Sequence, residues 1–207
     1  MPVPLVPVKA LAEAKGRLAP AVGPLQRRLL AIAMFEDVVA ALQAVPALAA
    51  PVVVSPDREV WRRADAMGCR VVEEPPEAGD LNGALTAAAK RLGNGSALLV
   101  VAADLPLASP AGLERVLAAA RAPVAVVPSA DGGGTNVLAW RDPASFAPSF
   151  GPDSAARHLA VPGAVRVEEP GLSRDVDTLE DLEAVAGRLD PSSVTARRLR
   201  DLDMLPA

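Results

Sequence analysis

The chain has 207 residues, 51% of them hydrophobic but only 2% aromatic, and a formal charge of −4. That length suits one domain whose core is built from Ala, Val and Leu, as in sheets covered by helices on both faces. The acidic balance argues against nucleic acid or an anionic membrane as partner, and the single cysteine, Cys69, excludes an internal disulfide and points to a reducing compartment.

Val3–Val8 reads as a first strand, in which Pro4 and Pro7 suggest an irregular or edge-exposed run. The loop that follows, KALAEAKGRLAPAVG, carries Lys9, Lys15 and Arg17. A basic loop in that place is where α/β folds commonly receive phosphates. It is not a Walker A loop, which needs two glycines before a Lys-Ser/Thr pair. Pro24–Val45 is predicted as a helix, with Pro24 at the first position and one apolar stripe of Leu25, Leu29, Ile32, Phe35, Val39 and Leu42. Glu36 falls inside that stripe without an explanation from spacing.

Pro51–Ser55 reads as a second strand, and Pro56 begins a short helix closed by Gly68. Cys69 then enters a third strand, Arg70–Glu73, as a buried structural thiol. Asp80-Leu81-Asn82-Gly83 opens a helix that runs to Leu92. Asn82 is either a helix cap there or a reader of a base edge in a pocket. Gln43, Pro46 and Pro51 break the longest apolar region, so no membrane span is expected. With no signal-peptide pattern at the start, a soluble cytoplasmic protein is expected.

The chain is organised around ALLVVAADLPL, residues 97–107. Leu98–Val101 has no polar alternation and reads as a strand buried on both faces. Pro106 forces a turn, which leaves Asp104 at the lip of the sheet, where open α/β folds place their ligands. A turn or N-cap role for Asp104 is equally compatible with its position. Ser109-Pro110 starts the next helix.

Pro123–Pro128 is a further buried strand, followed by SADGGGTN and a strand through Trp140. Three successive glycines let backbone approach a ligand or adopt angles closed to other residues. Phe150-Gly151-Pro152-Asp153-Ser154 opens a short helix with the form of an anion seat. His158 within it reads equally as a surface residue and is not assigned as a base. After a strand at Ala164–Glu168, Asp175 and Asp177 stand two apart, so an extended chain turns both to one side. At about 6.6 Å they repel by roughly 2.5 kcal/mol at an effective dielectric of 20, which calls for a cation or ample water between them. Thr178 and Asp181 form a capping pair for a helix over Leu179–Leu189. No repeat or linker interrupts residues 1–207, so a single domain is expected, with residues 190–207 as a tail. That tail, with Arg197, Arg198 and Arg200, is suited to pack on the sheet or on a partner chain, the latter giving a homodimer.

Three segments taken together, VKALAEAKGRLAP, ADLPL and GGGTN…FGPDS…RH…DVDTLEDL, resemble the 2-phospho-L-lactate/phosphoenolpyruvate guanylyltransferase family of coenzyme F420 biosynthesis. The resemblance covers Val3 to Leu182. It implies an α/β, single-domain nucleotidyltransferase-type three-layer sandwich with a mixed, mostly parallel sheet. It also implies transfer of GMP from GTP to a small phosphorylated three-carbon acid, phosphoenolpyruvate or 2-phospho-L-lactate. By motif, Asp104, Asp175 and Asp177 are implied Mg2+ ligands, and Thr135, Gly151 and Ser154 the positions that hold the acid. Lys9, Lys15 and Arg17 fall in the nucleotide loop, with Lys15 and Arg17 neutralising the triphosphate beside Asp104; Asn82 lies at the nucleotide end. Gly16 departs from the family, where Ser is frequent, as does Asp80, where Gly is frequent. Such chemistry is mainly alignment and charge neutralisation, which explains a site that uses neither Cys69 nor His158. The alternatives within the fold are transfer to a sugar phosphate or molybdopterin; outside it, a nucleotide-binding module without turnover.

Overall fold

The computed structural model describes residues 1–75, 78–93, 95–202 and 204, so residues 203 and 205–207 of the expected tail lie outside the described residues. Among the described residues a seven-stranded sheet has the order β3-β2-β1-β4-β6-β5-β7. The strands are β1 Val3–Pro7, β2 Val52–Ser55, β3 Arg70–Glu73, β4 Leu98–Val101, β5 Val124–Pro128, β6 Thr135–Trp140 and β7 Val165–Arg166. All are parallel except β6, which runs against both of its neighbours, β4 and β5. The helices are α1 Pro24–Gln43, α2 Arg58–Ala66, α3 Leu81–Leu92, α4 Pro110–Ala119, α5 Ser154–Leu159, α6 Leu179–Ala186 and α7 Val194–Asp201.

β1 is a central strand, not the edge-exposed one its prolines suggest. Val3 N–H donates to Ala97 on the β4 side and Val8 N–H to Val54 on the β2 side, so odd residues face β4 and even residues face β2. Pro4 therefore faces β2 just ahead of the pairing that starts at Leu5 with Val52. Pro7 faces β4 just past the pairing that ends at Leu5 with Val100. Each proline stands where the ladder asks for no donor.

Two apolar layers flank the sheet. On one face Val6, Val53, Leu99, Val101 and Val127 pack under α1, α2 and α4. On the other, Leu5, Val54, Val100 and Val126 pack under Ala84, Leu85 and Ala88 of α3. A third cluster lies outside the sandwich and joins Leu18, Leu30, Met34, Val176, Leu182, Val185 and Leu199. It explains why the stripe predicted for α1 is too narrow. Leu25 is 67% exposed, while Leu30 and Met34, off the stripe, are fully buried beneath α6 and α7. Glu36 is explained by Arg63, whose Nη1 lies 2.8 Å away. Among the described residues of the tail, α7 lies on α1 rather than on the sheet, and Asp37 there accepts from the N–H groups of Val194 and Thr195. Cys69 is buried, and burial pushes its thiol up to about 11, as suits an inert core sulfur. No helix among the described residues is long and apolar enough to cross a membrane.

Candidate active site

The chain reverses its direction of winding between β1 and β4: β2 and β3 build outward on one side of β1, and β4 returns on the other. Open α/β sheets bind ligands at such a point, beyond the carboxyl ends of the strands. Here that edge receives the loop after β1, the turn after β4, the amino end of the reversed strand β6, and the segment before α6.

Asp104, Asp175 and Asp177 converge at this edge, with one oxygen of each within 4.8 Å of the others. Asp104 follows β4 in a turn. Asp175 and Asp177 lie in an irregular segment rather than at a strand end. What fixes that segment is Val176, which is fully buried in the third cluster and donates its N–H to the Asp104 carbonyl at 3.1 Å. The capping box of Thr178 and Asp181 anchors the far side and starts α6, as the sequence predicts.

Lys15 is the cation of the site. Its Nζ lies 2.5 Å from Asp104 and 3.0 Å from Asp177, and its side chain is only 7% exposed. Burial works against the charge of Lys15, but Asp104 and Asp177 outweigh it and hold the ammonium above its ordinary range. The backbone at Lys15 is left-handed, φ 54°, an angle that costs a non-glycine residue free energy and marks a position under constraint. Leu18, three residues on, is buried in the same cluster as Val176, so one apolar patch anchors both the basic loop and the acidic segment. Arg17 is 77% exposed and stands 3.8 Å from Asp177, while Lys9 is exposed at the start of the loop.

Among the described residues, Asp175 has no cation as a hydrogen-bond partner. Burial first, and then Asp104, push its carboxyl above the usual range. It accepts from the Asn136 amide at 3.1 Å. Asn136 is a residue the sequence reading passed over. The pairing of β5 with β6 shifts between Val127–Val137 and Pro128–Thr135, which leaves Asn136 as the extra residue of a bulge. A bulge re-aims a side chain, here towards Asp175. The available signal was an Asn at the head of a buried apolar strand, which must find a partner. Three hard carboxylate oxygen donors around a point already shared with an ammonium suit a cation, so this cluster could hold a metal ion.

Thr135, Gly151 and Ser154 form a second group. Thr135 and Ser154 are buried, and Thr135 Oγ1 lies 3.0 Å from His158 Nδ1. Gly151 has φ 124°, a conformation that a side chain rarely adopts. The glycines of the preceding loop are less open than the sequence suggests. Gly132, Gly133 and Gly134 donate their N–H groups to Ser129 O, Asp131 Oδ1 and Ser129 Oγ respectively, so the loop satisfies itself.

Asn82 is not a helix cap. Asp80 caps α3 through the Gly83 N–H at 2.8 Å. Asn82 instead pairs with the main chain of Phe150, donating to its carbonyl and accepting from its N–H. Gly83 is required by contact, since a Cβ there would stand 2.0 Å from the Ala78 carbonyl oxygen.

The mixed, mostly parallel sheet between helices, with an acidic cluster at its switch point, is a fold of the nucleotidyltransferase type by its likeness to solved structures. A nucleotidyl transferase of Methanothermobacter thermautotroptrophicus shares the fold with TM-score 0.64 at 19% identity, over 90% of this chain and 96% of that one. Residues 3–186 match the family described as guanylyl transferase CofC like, and the chain belongs to it. It is 45% identical to a phosphoenolpyruvate guanylyltransferase of Nocardia farcinica over 96% of this chain and 90% of the relative. It is 44% identical to one of Thermomonospora curvata over 87% of this chain and 81% of the relative.

Proposed function

We propose that this chain joins GMP from GTP to phosphoenolpyruvate, releasing pyrophosphate, as a step in coenzyme F420 biosynthesis. The observation that carries the reading is the convergence of Asp104, Asp175, Asp177 and Lys15 from segments as far as 162 residues apart. The names of the relatives support phosphoenolpyruvate over 2-phospho-L-lactate as acceptor.

In this reading the phosphate of the acceptor attacks the α-phosphorus of GTP, and the bond to the β-phosphate breaks. The entering oxygen is already ionised, so no side chain has to remove a proton from it. Asp104, Asp175 and Asp177 fit Mg2+, a hard ion that takes oxygen ligands and retains water. Bound there, Mg2+ would offset charge that builds on the phosphates during transfer. Lys15 holds Asp104 and Asp177 in place and presents positive charge beside the triphosphate. Arg17 and Lys9, exposed along the same loop, extend that charge outward. Thr135, Gly151 and Ser154 receive the acceptor, and Asn82 sets the Phe150–Gly151 main chain against it while bordering the nucleotide.

Pyrophosphate release, measured with each of the four nucleotides against a panel of phosphorylated acids and sugar 1-phosphates, tests the proposal. GTP with phosphoenolpyruvate should turn over fastest. Turnover of sugar phosphates with every three-carbon acid inert overturns the acceptor, and tighter use of another nucleotide overturns the guanylyl assignment. Nucleotide binding without turnover under all conditions overturns the reaction itself.

A further inference from the structure

His158, the single histidine of the chain, is 1% exposed and plays no part in the chemistry above. Its two ring nitrogens have different partners. The main-chain N–H of Ser149 points at Nε2 from 2.9 Å. A main-chain N–H only donates, so Nε2 carries a lone pair, and in the neutral ring the proton sits on Nδ1. Nδ1 faces Thr135 Oγ1 at 3.0 Å, so the ring donates and the threonine oxygen accepts. The Thr135 hydroxyl then keeps its own proton for another acceptor.

We propose that His158 is a positioning residue that makes Thr135 a donor towards the acceptor's anionic groups. A threonine without such a neighbour presents a proton or a lone pair equally well. With its lone pair engaged by Nδ1–H, Thr135 offers a ligand a proton, which suits a phosphate or carboxylate oxygen. The same ring holds Ser149 through Nε2 and packs edge-on against Phe150, with centroids 5.1 Å apart. Asn82 bonds the Phe150 main chain as well, so the segment that leads into Gly151 is held by two side chains. Burial, with the adjacent Arg157 guanidinium, pushes the imidazole down to about 4, which keeps the ring neutral near neutral pH. The inference rests on the placement of the acceptor against Thr135 proposed above.

Two substitutions separate the two bonds. In H158N the amide lies where Nδ1 lies and can still donate to Thr135. In H158Q the amide oxygen lies near Nε2, which keeps Ser149 but deprives Thr135 of its donor. H158Q should raise KM for phosphoenolpyruvate about tenfold, the cost of a mis-set charge-assisted hydrogen bond, and leave KM for GTP within about twofold. H158N should recover most of that loss. With one histidine, the nitrogen NMR spectrum of labelled protein at pH 7 carries one imidazole and reads its tautomer directly. Protonated Nδ1 and bare Nε2 are expected; the reverse tautomer, or an imidazolium, overturns the proposal without touching the acceptor assignment. If T135V leaves KM for phosphoenolpyruvate unchanged, both the acceptor placement and this inference fall. If T135V raises it while H158Q does not, only this inference falls.

Discussion

The N–H of Val176 donates to the carbonyl of Asp104 at 3.1 Å, so the residue between two of the acids is bonded to the main chain of the third. The Val176 side chain, wholly buried against Leu182, Val185 and Leu199, sets the depth of that bond. Val176→Ala should cost about 2 kcal/mol in a denaturant titration through the cavity it leaves. It should also raise the magnesium concentration for half-maximal turnover several-fold, because Asp175 and Asp177 lose their shared anchor. A stability loss with an unchanged magnesium curve would show that Val176 serves the core alone.

The three acids should respond differently to neutralisation. Asp104 and Asp177 are the partners of a buried Lys15, so Asp104→Asn and Asp177→Asn leave that ammonium poorly compensated and should lower Tm in the absence of metal. Asp175 has an amide as its partner and carries a repelled charge. Asp175→Asn keeps the bond from Asn136 and removes the repulsion, so metal-free Tm should rise. All three should cut turnover by about 100-fold or more, since each loses charge that offsets the phosphates. Thermal melts in a chelating buffer beside a pyrophosphate assay check the pattern; a common sign for all three Tm shifts would refute the division of roles.

The acids of this cluster were legible as candidates because one stands at the end of an aliphatic run and two lie a residue apart, although Asp104 alone suits a turn or N-cap equally. Asp104 after Leu98–Val101 implied a place at the sheet's edge, and the spacing of Asp175 and Asp177 implied a cation or ample water between them. What stayed hidden depended on partners distant in sequence. The second buried side of α1 exists because α6 and α7 cover Leu30 and Met34, a contact that helical spacing does not encode. Pro4 and Pro7 suggest an edge only until the ladder's parity is known. Asn136 became part of the site through a one-residue bulge, and periodicity cannot place an unpaired residue. His158 looked dispensable because its two partners, Thr135 at the head of β6 and Ser149 in the segment before α5, are not neighbours in sequence.

Asp80, which the sequence set apart from the family pattern it resembles, has its carboxylate occupied in capping α3 through Gly83. Asp80→Ala should therefore cost about 1 kcal/mol of stability, the usual loss of an N-cap. The ratio of GTP to ATP use should stay within about twofold, as befits a residue acting through helix stability. A change in nucleotide preference larger than the change in stability would place Asp80 at the base instead.

The depressed His158 ring also predicts how stability follows pH. In the unfolded chain the imidazole binds a proton below about 6.5, whereas in the fold burial holds that step down to about 4. Between those values the unfolded state carries more protons, so stability falls as pH falls through the window. The contribution is fully present above pH 6.5 and lost as pH approaches 4. Its size is on the order of 2 kcal/mol. Asp175 acts in the opposite sense in acid, because its carboxyl is raised rather than lowered. Comparison of the wild type with H158Q removes that background, since both retain Asp175. The stability gap between them should be widest above pH 6.5 and should narrow steadily towards pH 4, as measured by urea unfolding at matched ionic strength. A gap that stays constant across this range would mean that the His158 proton is not linked to folding.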